Sequence, residues 1–301
     1  MVGFRARAIE VLVLLLMASH SWADASASTK PAFVDIHEVG FYAHLYLPAG
    51  SGPFPVLLVV GGSEGGFITA DAFGQFMPPA GIAVLGLAYF GIPELPPAID
   101  RIPIEYFTSA IDFIARQPFV DPERIGFVGG SKGGELALLL GSLDKRLHAV
   151  CAIVPSHVVW QSARAVDRAS SSWTLHGQPL PFVPYKGPLT PESKRLADLF
   201  ELSLQNERAV RAATIQVEKI NGPLLLISAA HDEIWPSKQM SDAVVARLKE
   251  KGFPYPVHHL SYDTGHGFSK ELAPEVNGEM VEFFRTALAA PTGASQARDS
   301  H

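Results

Sequence analysis

The chain has 301 residues, of which 48% are hydrophobic and 18% are charged, and its formal net charge is -6. This composition is typical of a globular protein, and it excludes disordered and fibrous classes as well as strongly basic, nucleic-acid-binding ones. A chain of this length buries about three quarters of its unfolded surface, so its core needs neither a disulfide nor a metal for stability.

The N-terminal residues predict a secretory signal peptide spanning residues 1–23. Arg5 and Arg7 precede an apolar run at 11–17, and small residues precede a cleavage site after Ala23. The alternative is a membrane anchor, but a membrane span needs about 20 apolar residues and this run is shorter. We therefore expect a secreted or periplasmic protein of residues 24–301 without a membrane span after cleavage.

The next predicted element is a β-hairpin over 33–47 that turns near Gly40. Short, continuous apolar runs and helical segments then alternate, a pattern typical of parallel strands buried on both faces of a sheet. The apolar runs are 55–60, 82–89, 125–128, 148–154, 223–228 and 256–262. The predicted helices are 106–114, 135–140, 237–251 with Ser237 as a possible N-cap, and 276–290.

The segment 156–217 interrupts this alternation and is too long for a simple connection. It is rich in serine, proline and aromatic residues, and its part 191–213 is helix-like. An insertion after a strand of such a sheet lies over the site, so we interpret it as a lid or a wall of an acyl pocket. A purely structural excursion is the alternative. The small, polar tail 291–301 is predicted to be frayed.

Cysteine and histidine patterns favour neither a disulfide nor a metal site. Cys151 is the only cysteine, and its apolar surroundings predict a buried, inert thiol. The histidines show no H-E-x-x-H or C-x-x-C spacing that would indicate zinc. We expect no metal and no cofactor.

A Gly-Gly-Ser-Lys-Gly motif at 129–133 follows an apolar run and opens a helix, which is the context of a nucleophile elbow. The glycines allow the strand and the helix to approach closely. The same pattern recurs at 61–65, so Ser63 rivals Ser131. We assign the nucleophile to Ser131, because the elbow follows the third parallel run, whereas the loop after the first run donates a backbone N–H to an oxyanion.

On this assignment the oxyanion hole combines the backbone N–H of Lys132 with one from Gly62, Ser63 or Glu64, and the sequence leaves that choice open. We expect Glu64 to contact the substrate, with pinning of the loop by hydrogen bonds as the alternative.

Two further side chains are candidates near the nucleophile. We expect Trp173 to bind substrate, because it lies in the aromatic insertion. The Lys132 side chain has three alternatives: lowering the pKa of the nucleophile, binding a carboxylate such as Glu135, or simple solvation.

A serine hydroxyl needs a base, and the base needs an acid that orients it. His266 lies in a glycine-flanked loop after the last apolar run, and Asp232 follows the run before it. The order Ser, Asp, His is that of α/β-hydrolases and not of chymotrypsin or subtilisin. We therefore predict a triad of Ser131, Asp232 and His266, with Glu233 and Asp263 as alternative acids.

With these residues placed, residues 52–285 resemble the C-terminal hydrolase domain of the acyl-CoA thioester hydrolase and bile acid-CoA:amino acid N-acyltransferase family. The resemblance rests on Gly-Phe-Val-Gly-Gly-Ser-Lys-Gly-Gly-Glu-Leu-Ala at 126–137, Ser172-Trp173, Pro179-Leu180-Pro181, Asp232 with Trp235-Pro236-Ser237, and Gly265-His266. It implies the same triad and an acyl-enzyme intermediate.

We therefore expect one α/β-hydrolase domain, with a mostly parallel central sheet, helices on both faces and an inserted lid-like segment. The expected activity is hydrolysis of a small thioester or carboxylic ester with an apolar acyl group. The alternatives are acyl transfer to an amine or alcohol, and a non-catalytic binding protein on the same fold.

Overall fold

The computed structural model describes residues 33–38, 40–162, 169–187 and 196–290. The predicted signal peptide 1–23, the tail 291–301 and parts of the insertion at 163–168 and 188–195 lie outside the described residues. In the ranges that are described, no helix is both long enough and apolar enough to cross a membrane.

The strands in the described ranges are, in chain order, β1 (Val34–Glu38), β2 (Phe41–Tyr46), β3 (Phe54–Val60), β4 (Ala83–Ala88), β5 (Ile102–Pro103), β6 (Val120–Gly130), β7 (Leu147–Ile153), β8 (Trp173–Leu175), β9 (Gln178–Pro179), β10 (Leu224–Ala229) and β11 (Val257–Tyr262). The central sheet has the order β1-β2-β4-β3-β6-β7-β10-β11, and β5, β8 and β9 form a small second sheet. The six strands from β4 to β11 in that order are parallel. They correspond to the six predicted apolar runs.

The antiparallel edge of the sheet is the predicted hairpin. β1 pairs with β2, and β2 pairs antiparallel with β4. Gly40 lies between the two strands with φ = 107°, a backbone conformation that glycine adopts without steric cost. The hairpin prediction is therefore confirmed.

The helices in the described ranges are α1 (Ile68–Phe76), α2 (Ile104–Ala115), α3 (Lys132–Leu143), α4 (Leu196–Leu204), α5 (Glu207–Ala213), α6 (Ser237–Glu250) and α7 (Ala273–Ala287). Alternate residues of β3 face opposite sides of the sheet. Val56, Leu58 and Val60 belong to the buried cluster that includes residues of α2, α3 and α6. Leu57 and Val59 pack with α1 and α7. Both faces of the sheet are covered, as its continuous apolar strands predict.

Two local expectations about helices differ from the structure. The helix-like stretch 191–213 is helical in its described part but is divided into α4 and α5, and the Asn206 side chain caps α5 by accepting a hydrogen bond from the Ala209 N–H (3.2 Å). Ser237 does not cap α6. Pro236 occupies the N-cap position, and the Ser237 Oγ instead accepts a hydrogen bond from the Ala229 N–H at 3.3 Å.

The cysteine prediction agrees with the structure. Cys151 is buried in β7, and its burial raises the pKa of the thiol. A thiol in such surroundings is a poor nucleophile, because the reactive species is the thiolate.

The insertion packs against the loop that follows β10. Its buried side chains belong to an aromatic cluster, the insertion cluster, in which Trp160 packs against Phe200 and Phe200 packs against Trp235. The small sheet also attaches the insertion to the segment before α2, because β8 of the insertion pairs with β5. The insertion is thus fixed beside the end of β10, where Asp232 lies.

Candidate active site

Ser131 lies at the junction between β6 and α3 in a backbone conformation that residues with a side chain rarely adopt, φ = 55° and ψ = -117°. The flanking glycines are required by close contacts. A Cβ at Gly129 would lie 2.1 Å from the carbonyl oxygen of Gly133, and a Cβ at Gly133 would lie 2.4 Å from that of Gly61. These contacts give the sharp strand-to-helix turn that exposes a hydroxyl at the edge of the sheet.

The loops after β10 and β11 bring an acid and an imidazole to this hydroxyl. The His266 Nε2 lies 3.0 Å from the Ser131 Oγ, and its Nδ1 lies 2.9 Å from each carboxylate oxygen of Asp232. Because a carboxylate only accepts hydrogen bonds, we assign the ring proton to Nδ1, which leaves Nε2 free to accept from the serine hydroxyl. The structure thus brings the three predicted residues into one hydrogen-bonded chain.

Asp232 is held in place by its own backbone neighbours. Its side chain is buried, and Oδ1 accepts hydrogen bonds from the N–H groups of Ile234 (3.0 Å) and Trp235 (3.2 Å). The indole of Trp235 donates to the carbonyl of Val154 at 2.9 Å, which anchors the loop to the end of β7. This carboxylate therefore keeps a fixed orientation toward the imidazole.

The two alternative acids have other partners. The Glu233 Oε2 accepts a hydrogen bond from the backbone N–H of His266 at 3.1 Å, so it holds the histidine loop and not the ring. Asp263 pairs with His231 at 2.7 Å, where both side chains are largely exposed. The carboxylate that contacts the ring is Asp232. Sequence reasoning did not find the loop-holding role of Glu233, because nothing local to residue 233 shows which backbone it meets.

The loop after β3 lies directly beside the elbow. A Cβ added to Gly62 would lie 2.9 Å from the Cβ of Ser131, so only a glycine fits there. Lys132 is the first residue of α3, and the first N–H groups of a helix have no intrahelical partner. The serine that contacts His266 is Ser131, whereas the rival Ser63 is an exposed residue of this neighbouring loop.

Tyr89 holds the loop after β3 through its hydroxyl, a role that the sequence did not predict. Its buried hydroxyl donates toward the carbonyl oxygens of Gly61 (3.0 Å) and Gly62 (3.3 Å). Burial raises the pKa of this hydroxyl, so it remains a neutral donor. In a planar trans peptide the N–H points opposite to the C=O, so Tyr89 turns the N–H groups of Gly62 and Ser63 away from the core. The sequence marks Tyr89 only as a tyrosine at the end of an apolar run.

We expect Tyr89→Phe to lower kcat by about tenfold, which is less than the factor of about 10² to 10³ for complete loss of an oxyanion donor. The loop would keep its sequence but lose the bond that orients its peptide groups. Steady-state kinetics on a p-nitrophenyl ester measure the effect. The matched control is Tyr106→Phe, which removes a hydroxyl bonded to the Ala88 carbonyl at the end of the same strand. Equal losses in both variants would contradict this role.

Two expected substrate contacts have different outcomes. Trp173 is fully buried, its ring packs near Phe107 and Tyr89, and its indole donates to Glu135 at 2.7 Å. The prediction that Trp173 binds substrate is wrong, because the side chain has no exposed surface. Glu64 is exposed, accepts a hydrogen bond from the Thr69 hydroxyl and lies against Gly61, which fits the alternative of pinning the loop.

The side chain of Lys132 binds a carboxylate, which was one of its three alternatives. Its Nζ lies 2.7 Å from both oxygens of Glu135.

Across the part of the chain that the structure describes, no group of three or more His, Cys, Asp or Glu side chains could hold a metal ion. The chemistry available from the chain itself is that of a hydroxyl, an imidazole, a carboxylate and nearby backbone N–H groups.

Residues 102–289 match the profile of the family described as BAAT / Acyl-CoA thioester hydrolase C terminal. The chain belongs to this family. The matched range contains Ser131, Asp232 and His266, whereas the loop at 61–65 precedes it.

Relatives of this acyl-CoA thioester hydrolase family include mammalian thioesterases. Acyl-coenzyme A thioesterase 2, mitochondrial, of Mus musculus is 30% identical over 219 residues, which are 73% of the chain and 46% of that protein. Acyl-coenzyme A thioesterase 1 of Homo sapiens is 28% identical over 224 residues, which are 74% of the chain and 51% of that protein. The chain therefore spans about half the length of the curated relatives it matches.

Solved structures agree with the fold of this family member. The 2,6-dihydroxy-pseudo-oxynicotine hydrolase has a TM-score of 0.54 and 18% identity, with 86% of the chain and 68% of that protein covered. The alpha/beta hydrolase GrgF from Penicillium sp. sh18 has a TM-score of 0.55 and 16% identity, with 86% and 99% covered. The predicted α/β-hydrolase fold is confirmed.

Proposed function

We propose that the protein is a serine hydrolase that cleaves a thioester or carboxylic ester through an acyl-enzyme intermediate. The observation that carries the proposal is the continuous chain from the Ser131 Oγ through His266 to Asp232, with separations of 3.0 and 2.9 Å. Family membership favours a thioester, because the relatives are named acyl-coenzyme A thioesterases.

In the first half of the reaction the Ser131 Oγ attacks the carbonyl carbon of the substrate while its proton passes to the Nε2 of His266. Asp232 orients the ring and stabilises the imidazolium. The tetrahedral oxyanion is held by the N–H of Lys132 and by one from Gly62 or Ser63. Its collapse expels the thiol or alcohol, which takes the proton from His266 and leaves the acyl group on the serine.

In the second half a water molecule attacks the acyl-enzyme. His266 takes a proton from the water and then returns it to the serine oxygen as the carboxylic acid leaves. The products are one carboxylic acid and one thiol or alcohol for each substrate consumed.

The test is a screen of the purified chain against p-nitrophenyl esters and acyl-CoAs of increasing acyl length, with and without an amine acceptor. We expect free acid and leaving group in equal amounts. A fluorophosphonate probe should also modify Ser131, which peptide mass spectrometry locates. Conjugate formation with the amine would indicate a transferase, and the absence of both turnover and labelling would indicate a binding protein.

A further inference from the structure

A buried carboxylate joins the nucleophile helix to the insertion. Glu135 lies one turn into α3 and is fully buried. Its Oε1 accepts hydrogen bonds from the indole Nε1 of Trp173 (2.7 Å) and from the backbone N–H of Trp160 (3.3 Å). The charge of Glu135 is balanced by Lys132, whose Nζ also lies 5.4 Å from the centre of the Trp173 ring. One oxygen atom, four residues after Ser131, thus contacts the insertion at two points.

The two contact points, Trp160 and Trp173, lie where the two ends of one segment of the insertion are bonded to each other. The N–H and the Oγ of Ser172 both donate to the carbonyl of Trp160, at 3.3 and 3.0 Å. The chain therefore leaves the Glu135 site at Trp160 and returns to it at Trp173. A carboxylate at this position fixes both ends of that excursion against α3.

A series of aromatic rings connects Trp160 to the imidazole of His266. Trp160 contacts Phe200 (4.8 Å between ring centres), Phe200 contacts Trp235 (5.7 Å), and Trp235 contacts His266 (6.2 Å). The position of Trp160 consequently affects the surface that the insertion cluster presents beside His266.

Stability alone does not account for a charge pair in this place. Replacing a buried ion pair by well-packed apolar groups is often neutral or stabilising, whereas buried charges can specify one arrangement among several. Polar groups in a buried network also fix geometry strongly, because any unpaired member is costly.

We propose that Glu135 is a positioning residue, which holds the insertion at one place beside the nucleophile and so sets the wall against which the acyl group of the substrate packs. This inference rests on the proposed function. It makes the carboxylate a determinant of acyl-chain preference without any contact between Glu135 and the substrate.

The sharpest test compares Glu135→Gln with Glu135→Met. Both variants remove the negative charge and leave Lys132 without its counter-ion, and the two side chains are similar in size. Only glutamine keeps an oxygen that can accept hydrogen bonds from the indole N–H of Trp173 and the backbone N–H of Trp160. We expect kcat/KM for a long-chain p-nitrophenyl ester to be at least about tenfold lower in Glu135→Met than in Glu135→Gln, because small displacements of a binding wall have large kinetic effects. For the acetate ester the two variants should differ by less than about twofold, because the proposal has the wall contact the distal part of a long acyl group and not an acetyl group.

Two controls separate positioning from general destabilisation. Asp144→Asn weakens an ion pair with Arg146 at the opposite end of α3, and it should leave the ratio of long-chain to acetate activity unchanged. Adding Trp173→Phe to Glu135→Met should cause little further change in that ratio, because Glu135→Met has already removed the acceptor of the Trp173 indole hydrogen bond. Equal ratios in Glu135→Gln and Glu135→Met would overturn the proposal, as would the same change of ratio in Asp144→Asn.

Limited proteolysis provides a readout that does not depend on activity. We expect cleavage within 156–217 to be faster in Glu135→Met than in Glu135→Gln at equal melting temperature. If the wild-type protein hydrolyses no ester, the proposed function fails, while faster cleavage still supports the anchoring by Glu135. Equal cleavage rates would contradict the anchoring even in an active enzyme.

Discussion

We expect Ser131→Ala to lower kcat for ester or thioester hydrolysis by about 10⁶-fold, the scale of loss when a catalytic serine is removed from a hydrolase of this kind. The hydroxyl that lies 3.0 Å from the His266 Nε2 is the protein group that bonds to the acyl carbon in the proposed mechanism. Alanine keeps a Cβ in the same strained backbone, so the melting temperature should change little. Steady-state kinetics and thermal unfolding measure the two quantities.

The control for this prediction is Ser63→Ala. Its motif has the same glycine spacing, but Ser63 itself is an exposed residue of the loop after β3. A fluorophosphonate probe should modify the wild type and Ser63→Ala and fail on Ser131→Ala. Labelling that persists in Ser131→Ala and disappears in Ser63→Ala would place the nucleophile on the other loop.

The architecture was predictable from the sequence because it depends on regularities along the chain. Strands buried on both faces are continuous apolar runs, and each such run coincides with a strand of the central sheet. The positions of Ser131, Asp232 and His266 just after three parallel strands were also sufficient to predict their convergence, since the ends of parallel strands meet at one edge of the sheet.

The supporting contacts were not predictable, because each depends on which way a side chain points in three dimensions. Tyr89, Glu135 and Glu233 all act on backbone or side chains of distant segments. The contacts join positions 27, 38 and 33 residues apart in the chain, so no local pattern shows them. The error at Trp173 has the same cause: an aromatic residue in an insertion can face the core as readily as the substrate.

The local errors at helix ends have a different origin. A helix-like composition continued through residue 206, but a single asparagine side chain that bonds to the Ala209 N–H was enough to start a new helix. At Ser237 the serine is one position too late to cap α6 and satisfies a backbone N–H of β10 instead. Competing partners of similar strength decide such positions, and the sequence does not show which partner is in reach.

Asp232→Asn is expected to lower kcat by about 10⁴-fold while the fold is retained, the loss known for the equivalent change in serine proteases. An amide can present N–H groups to the His266 Nδ1, which favours a ring proton on Nε2. That tautomer cannot accept the proton of Ser131. The neutral amide also gives no charge stabilisation to the imidazolium.

The neighbouring carboxylates make this prediction specific. Glu233→Gln keeps an acceptor for the backbone N–H of His266, so its loss should be about tenfold or less, the cost of a loosened loop. Asp263→Asn alters an exposed pair with His231 and should change kcat by less than about twofold. The three variants differ from wild type by the same carboxylate-to-amide change, so any difference among them reflects position alone. A larger loss in Glu233→Gln than in Asp232→Asn would mean that the acid acts through the loop and not through the ring.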